Sequence, residues 1–219
     1  MIFTASYASL ETMVPGIDTD PASINPGGPV PKDFTDTPWP GGTTMSISGP
    51  KWAAGLSKRF VSPAPALLTS ISQITLSYQI RPSQLAFTLS QANENDLMVV
   101  DPAGNRYNGS MRKNNQTGGV WEIALDDKSW TPTTFKTGKF AADLWTQVTV
   151  IYRFDWAAKT LQFVSMTDGG VLFHFPQKPV PATPGTGWQP SIIDWQSQET
   201  LLQAGSFVRD MRNISISMQ

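Results

Sequence analysis

Few residues in this 219-residue chain could carry covalent chemistry, and their spacing decides how far each can go. Glu94 and Asp96 stand two positions apart. On a strand that spacing puts both carboxyl groups on one face, and two carboxyls about 5–5.5 Å apart form the acid pair of retaining sugar hydrolysis. Here the pair falls in residues 91–96, polar apart from Ala92, and no third carboxylate follows on the same parity, so the stretch reads as a solvated turn. His174 is the single histidine and lies between two phenylalanines. Without a second imidazole or a G-x-S-x-G elbow it reads as a polar residue on the exposed parity of a strand. Asp96, Asp101 and Asn105 surround a Pro/Gly turn and offer oxygen ligands, which makes calcium the candidate metal. Calcium takes six to eight oxygens, however, and Asp and Asn are equally expected at turns for their local hydrogen bonds.

Binding chemistry is better represented, because eight tryptophans are many for this length. An indole can stack on the C–H face of a sugar while amides, carboxylates and guanidinium groups hold the hydroxyls. Trp145 and Trp156 lie beside strand patterns and are expected in the core, whereas Trp121, Trp130 and Trp188 lie in or beside polar loops. The candidate sugar platform is therefore Trp121, helped by Glu122, Tyr107 and Arg112, with Trp130 and Trp188 as further stacking surfaces.

Composition removes several classes of function. Sixteen basic against 17 acidic residues leave a net charge of −1, which provides no positive stripe for a nucleic-acid backbone. Zero cysteines exclude disulfides, thiolate metal sites and cysteine nucleophiles. The first residues show neither a basic leader region nor an apolar run, so neither a signal peptide nor a membrane span is expected; a leader already removed would place the protein outside the cell. Seven of the 18 prolines fall within residues 1–42, which read as an irregular arm on one domain covering residues 1–219.

The elements that must position any site follow from a period of two. In residues 73–80, Ile74, Leu76, Tyr78 and Ile80 alternate with Gln73, Thr75, Ser77 and Gln79, a half-buried strand. Residues 84–91, after Arg81-Pro82-Ser83, read as its antiparallel partner with Leu85, Phe87 and Leu89 buried. Residues 144–166 form the strongest hairpin: Val148, Val150, Tyr152 and Phe154 share one parity, Ile151 breaks it, and Leu161 and Phe163 resume it past a five-residue loop. Residues 107–119 read as a basic, Asn/Gly-rich loop, and residues 121–125, 171–175, 192–204 and 207–218 as strands. Many short antiparallel strands without a helical period predict an all-β, two-sheet β-sandwich, a jelly roll.

The succession ITLSYQI (residues 74–80), LAFTLSQ (85–91), LWTQVTVIYRFDWAAKTLQF (144–163) and GSFVRDMRNISI (205–216) resembles the concanavalin A-like lectin/glucanase superfamily, including laminin-G-like jelly rolls. The resemblance covers residues 70–218 and rests on packing motifs, which carry little about chemistry. It implies a curved sheet that binds glycans and in some members cleaves them. The E-x-D-x-E signature of the glucanase branch is absent. Together these readings predict a lectin-like glycan-binding module, with a diverged polysaccharide hydrolase or lyase, or a structural adhesion module, as alternatives.

Overall fold

The computed structural model of the chain describes residues 3–6, 11–16, 33–125 and 129–219. In chain order the first strands are β1 (Phe3–Ser6), β2 (Glu11–Gly16), β3 (Asp33–Trp39), β4 (Gly42–Gly49), β5 (Ala54–Val61), β6 (Gln73–Pro82), β7 (Ser90–Val100), β8 (Asn105–Asn108) and β9 (Met111–Asn114). They continue with β10 (Val120–Ala124), β11 (Trp130–Lys136), β12 (Thr146–Asp155), β13 (Thr160–Asp168), β14 (Val171–His174), β15 (Pro179–Pro181), β16 (Thr183–Pro184), β17 (Ile192–Leu201) and β18 (Gly205–Met218). Two one-turn helices, α1 (Pro65–Leu68) and α2 (Ala86–Leu89), interrupt them.

All pairings among these strands are antiparallel, and they build two sheets. Sheet A runs β14-β13-β12-β6-β18-β4-β3, with β1 on β18 and β15 on β13; sheet B runs β11-β10-β9-β7-β17-β5-β2, with β8 between β7 and β16. This is the all-β two-sheet sandwich, a jelly roll, that the alternation predicts.

The core lies where the alternation puts it. Ile74, Leu76, Tyr78 and Ile80 of β6 and Val148, Val150, Tyr152 and Phe154 of β12 face Leu97, Val99, Trp121, Ile193 and Trp195 of sheet B in one cluster. A bulge explains the end of β13. Tyr152 pairs with Phe163 but Ile151 with Ser165, so Val164 is an extra residue. An extra residue shifts every later side chain to the other face. Asp168, which simple alternation from Leu161 and Phe163 would turn to solvent, is thereby aimed between the sheets.

Several sequence expectations are corrected. Residues 84–91 are not the partner of β6, whose neighbours are β12 and β18. Leu85 is 57% exposed, α2 follows, and the Phe87 side chain lies outside the described part. Ala86 and Leu89 instead use the i, i+3 spacing of one helical turn to pack on Ile47, Leu201 and Phe207. Residues 107–119 are not one loop: they hold the end of β8 and all of β9, next to β7 in sheet B, and turn only after Asn114. The N-terminal region contributes β1, β2 and β3; among the described residues β3 pairs only with β4, and such a rim strand tolerates Pro38 because half of its donors face outward. Residues 17–32 of that arm lie outside the described part. Trp145 is not a core residue: it sits on the outer face of sheet A with the Arg81 and Arg212 guanidinium groups 4.8 and 4.1 Å from its ring. Trp156 does join the core edge, stacked on Phe154 at 5.0 Å.

Candidate functional site

The two sheets treat their outer faces differently. On sheet A the outward residues of β6 and β12, such as Ser77, Gln79, Thr149 and Arg153, are half-buried or exposed. On sheet B the outward row of β17 is Asp194, Gln196, Gln198 and Thr200, and all four are buried. Their partners on β7, Met98, Asp96 and Glu94, are buried or half-buried as well. A strand with all ten residues out of solvent, polar ones included, marks this outer face as the recessed one.

Glu94 and Asp96 belong to that row. They lie on a strand and not in a turn, because their backbone pairs with Gln198 and Gln196 of β17. The polar composition that suggests a turn reflects instead a face that needs polar side chains. Beside Glu94 the register places Arg112 of β9, and beside Arg112 it places Glu122 of β10. The Arg112 Nε donates to Glu122 Oε2 at 2.6 Å, and Asn114 donates to Glu122 Oε1 at 2.9 Å. The Arg112 guanidinium lies 4.4 Å from the half-buried Trp130 ring, a cation–π contact that holds both flat groups in place. At the far end of the strip, Arg106 of β8 lies 5.9 Å from the Trp188 ring. The strip thus runs between two Arg–Trp contacts.

Between them the chain steps from β8 to β9 through Asn108, Gly109 and Ser110. A Cβ on Gly109 would sit 2.8 Å from the Tyr152 ring and 2.9 Å from the Leu97 carbonyl, so only glycine fits this approach of the two sheets. Gly109 donates to Leu97 and accepts from the Tyr152 hydroxyl, and Asn108 accepts from the Ser110 backbone and hydroxyl.

Of the sequence-predicted site, the structure brings together Glu122, Arg112 and Trp130, sets Trp188 at the other end of the same face, and separates Trp121 and Tyr107. Trp121 is a correction: it is 0% exposed, faces the core, and donates its indole N–H to Asp168 at 2.9 Å. No sugar reaches it. Tyr107 likewise faces inward, edge-on to Phe154 and Trp156. Burial, and then Asp101, push its hydroxyl up to about 12. The reason is alternation: Trp121 shares the parity of Ile123, and Glu122 takes the other. Asn114, Gln196 and Gln198 are the members that sequence reasoning missed; the polar run on both parities of residues 91–96 was the available signal.

The three predicted metal ligands are not assembled. Asp101 accepts from the backbone of Ala103 and Asn105 and from the Asn105 amide, while Asp96 lies five residues back on the recessed face. Among the described residues, no group of three or more His, Cys, Asp or Glu side chains is placed to hold a metal ion. His174 is exposed on the rim strand β14.

The inner face of sheet B carries charge too. Lys113 donates to Asp168 at 2.6 Å, and Trp121 and Thr137 donate to the same oxygen. Desolvation lowers the Lys113 ammonium, against the opposing pull of Asp168. On the other side of the core Arg209 of β18 donates to Glu199 of β17 and to Ser197. Burial pushes the Glu199 carboxyl up to about 7 despite the lowering effects of Arg209 and Ser90. Both clusters cross from sheet to sheet and are structural ties.

No known protein family's profile matches the chain, and no curated protein matches it either. Solved structures do. The chain is similar to the alginate lyase Aly36B at 11% identity and a TM-score of 0.51, over 84% of this chain and 86% of that one. It is also similar to a native glycosidic hydrolase at 8% identity and a TM-score of 0.53, over 100% and 95%. Peanut lectin matches at 11% identity and a TM-score of 0.49, over 100% and 97%. At such identities the likeness establishes the fold and leaves the chemistry to the site.

Proposed function

We propose that the chain is a carbohydrate-binding module whose sugar site is the recessed outer face of sheet B, and that it holds glycans without cleaving them. One observation carries the reading: the outward row of β7 and β17 sets Glu94, Asp96, Gln196 and Gln198 side by side on the outer face, between Trp130 and Trp188. Amides supply donors and carboxylates acceptors, which together recognise a hydroxyl, itself both. Indole planes at either end add stacking surface for a sugar ring. The fold likeness to an alginate lyase and a glycosidic hydrolase supports a carbohydrate ligand.

Binding rather than cleavage is supported by the outward series of β7, in which Met98 follows Glu94 and Asp96. Glu122 is engaged by Arg112 and Asn114 instead of facing a vacant flank. The hydrolase alternative rests on Glu94 and Asp96 sharing one strand face. Calorimetry against a panel of plant, algal and bacterial polysaccharides, with a reducing-end assay on each ligand, separates these readings. Saturable binding without new reducing ends supports the module; turnover lost in Glu94→Gln replaces it with the enzyme. Silence in both assays favours a structural role.

A further inference from the structure

A second cavity opens at the edge of the sandwich, away from the recessed face. It has a volume of about 260 Å³ and lies between Ile123 and Leu125 of the β10 segment, Phe163 of β13 and Phe173 of β14, with Pro176 and Lys178 at its border. Its origin is a register break. Val120 pairs with Lys136 and Glu122 with Pro132, so one residue of β10, Trp121, stands opposite three of β11: Thr133, Thr134 and Phe135. The excess chain swings β11 outward, pinned by the Thr133 hydroxyl, which donates to the Trp121 carbonyl at 2.7 Å and accepts from the Phe135 backbone. Sheet B consequently fails to cover the last inward positions of β14. Phe173 is half-buried, with Phe135 stacked on it at 4.8 Å and Phe175 edge-on at 5.1 Å, and Val171, on the same inward parity, is 53% exposed.

The lining is apolar except for threonine hydroxyls and Lys178, its one charged residue among those described. A dry cavity of about 150 Å³ lined by aliphatic and aromatic groups already takes benzene, so this one has room for a larger apolar body. A neutral apolar ligand would gain nothing from the ammonium at the border, whereas an acid would place its carboxylate against it. We propose that this edge cavity binds a small apolar acid, an aryl or medium-chain carboxylate, whose hydrocarbon part enters between the sheets and whose carboxylate meets Lys178. The site is independent of the glycan reading, since it opens at the sandwich edge.

Calorimetry of the full chain with 4-phenylbutyrate, and with its uncharged amide 4-phenylbutanamide, tests the assignment. Phenylbutyrate is expected to bind saturably, one per chain. Lys178→Glu should weaken it about tenfold or more while leaving the amide's weaker binding unchanged, as loss of a charge-assisted contact requires. Thr134→Trp, at an exposed position of the lining, should block both ligands with the melting temperature unaltered. Absence of saturable binding, or binding that survives both substitutions, overturns the proposal. Equal weakening of acid and amide by Lys178→Glu overturns the assigned ligand charge.

Discussion

Glu122 and Glu199 both lie on sheet B and both accept from an arginine, but they project from opposite faces of it. Glu122 meets Arg112 laterally, on the neighbouring strand, where the arginine side chain stays 13% exposed and its guanidinium lies 4.4 Å from the Trp130 ring. Glu199 meets Arg209 across the core, where the two side chains retain 2% and 0%. The first pair can order a binding surface because it stays partly wet; the second can only tie the sheets together, because neither partner survives alone in the interior. One strand parity separates the two roles.

The largest effects are expected on the inner face. Trp121→Ala should cost about 3–5 kcal/mol in urea unfolding, since it empties a fully buried indole site and removes a donor from Asp168. Arg209→Ala should cost about 3–5 kcal/mol by the same measurement, because it strands Glu199 in the core. A loss below about 1 kcal/mol in either variant would erase the contrast between the faces.

Glu199 also predicts a pH dependence. Its folded value of about 7 lies above the ordinary 4.5, so the folded chain holds a proton that the unfolded chain releases between those values. The associated stability is fully present below pH 4.5 and is lost as pH rises through 7, with a slope of at most about 1.4 kcal/mol per pH unit. Unfolding free energies measured at half-unit steps should show this decline in the parent and a flatter profile in Glu199→Gln; an equal slope in both would assign the proton elsewhere.

On the recessed face the expectation reverses. Trp130→Ala should change unfolding free energy by less than about 1 kcal/mol while weakening any glycan found by calorimetry about tenfold, the worth of one stacked ring. The smallest effect belongs to Trp145→Ala. This indole lies outside sheet A between two arginines, so a shift in unfolding free energy within about 1 kcal/mol and unchanged glycan binding are expected.

How much of this was legible differs from element to element. Clean alternation without apolar breaches, as in β6, and the hairpin of β12 and β13 could be read directly, since a face either meets water or does not. The segment 84–91 misled because LAFTL satisfies a period of two and a single helical turn equally well. β8 and β9 were invisible as strands because one of their faces lines a polar recess, and polarity then mimics a loop.

The sequence alone determined the fold class, the core faces of β6 and β12, and the residue types available for binding. It even placed Trp121 on the parity of Ile123, from which its burial follows. Tertiary structure decided the rest. Which outer face is recessed depends on how one sheet packs on the other. The aim of Asp168 depends on a bulge that the pattern of β13 does not announce. The meeting of Glu94, Arg112, Glu122 and Gln198 depends on residues 10 to 104 positions apart being neighbours, which only register can bring about.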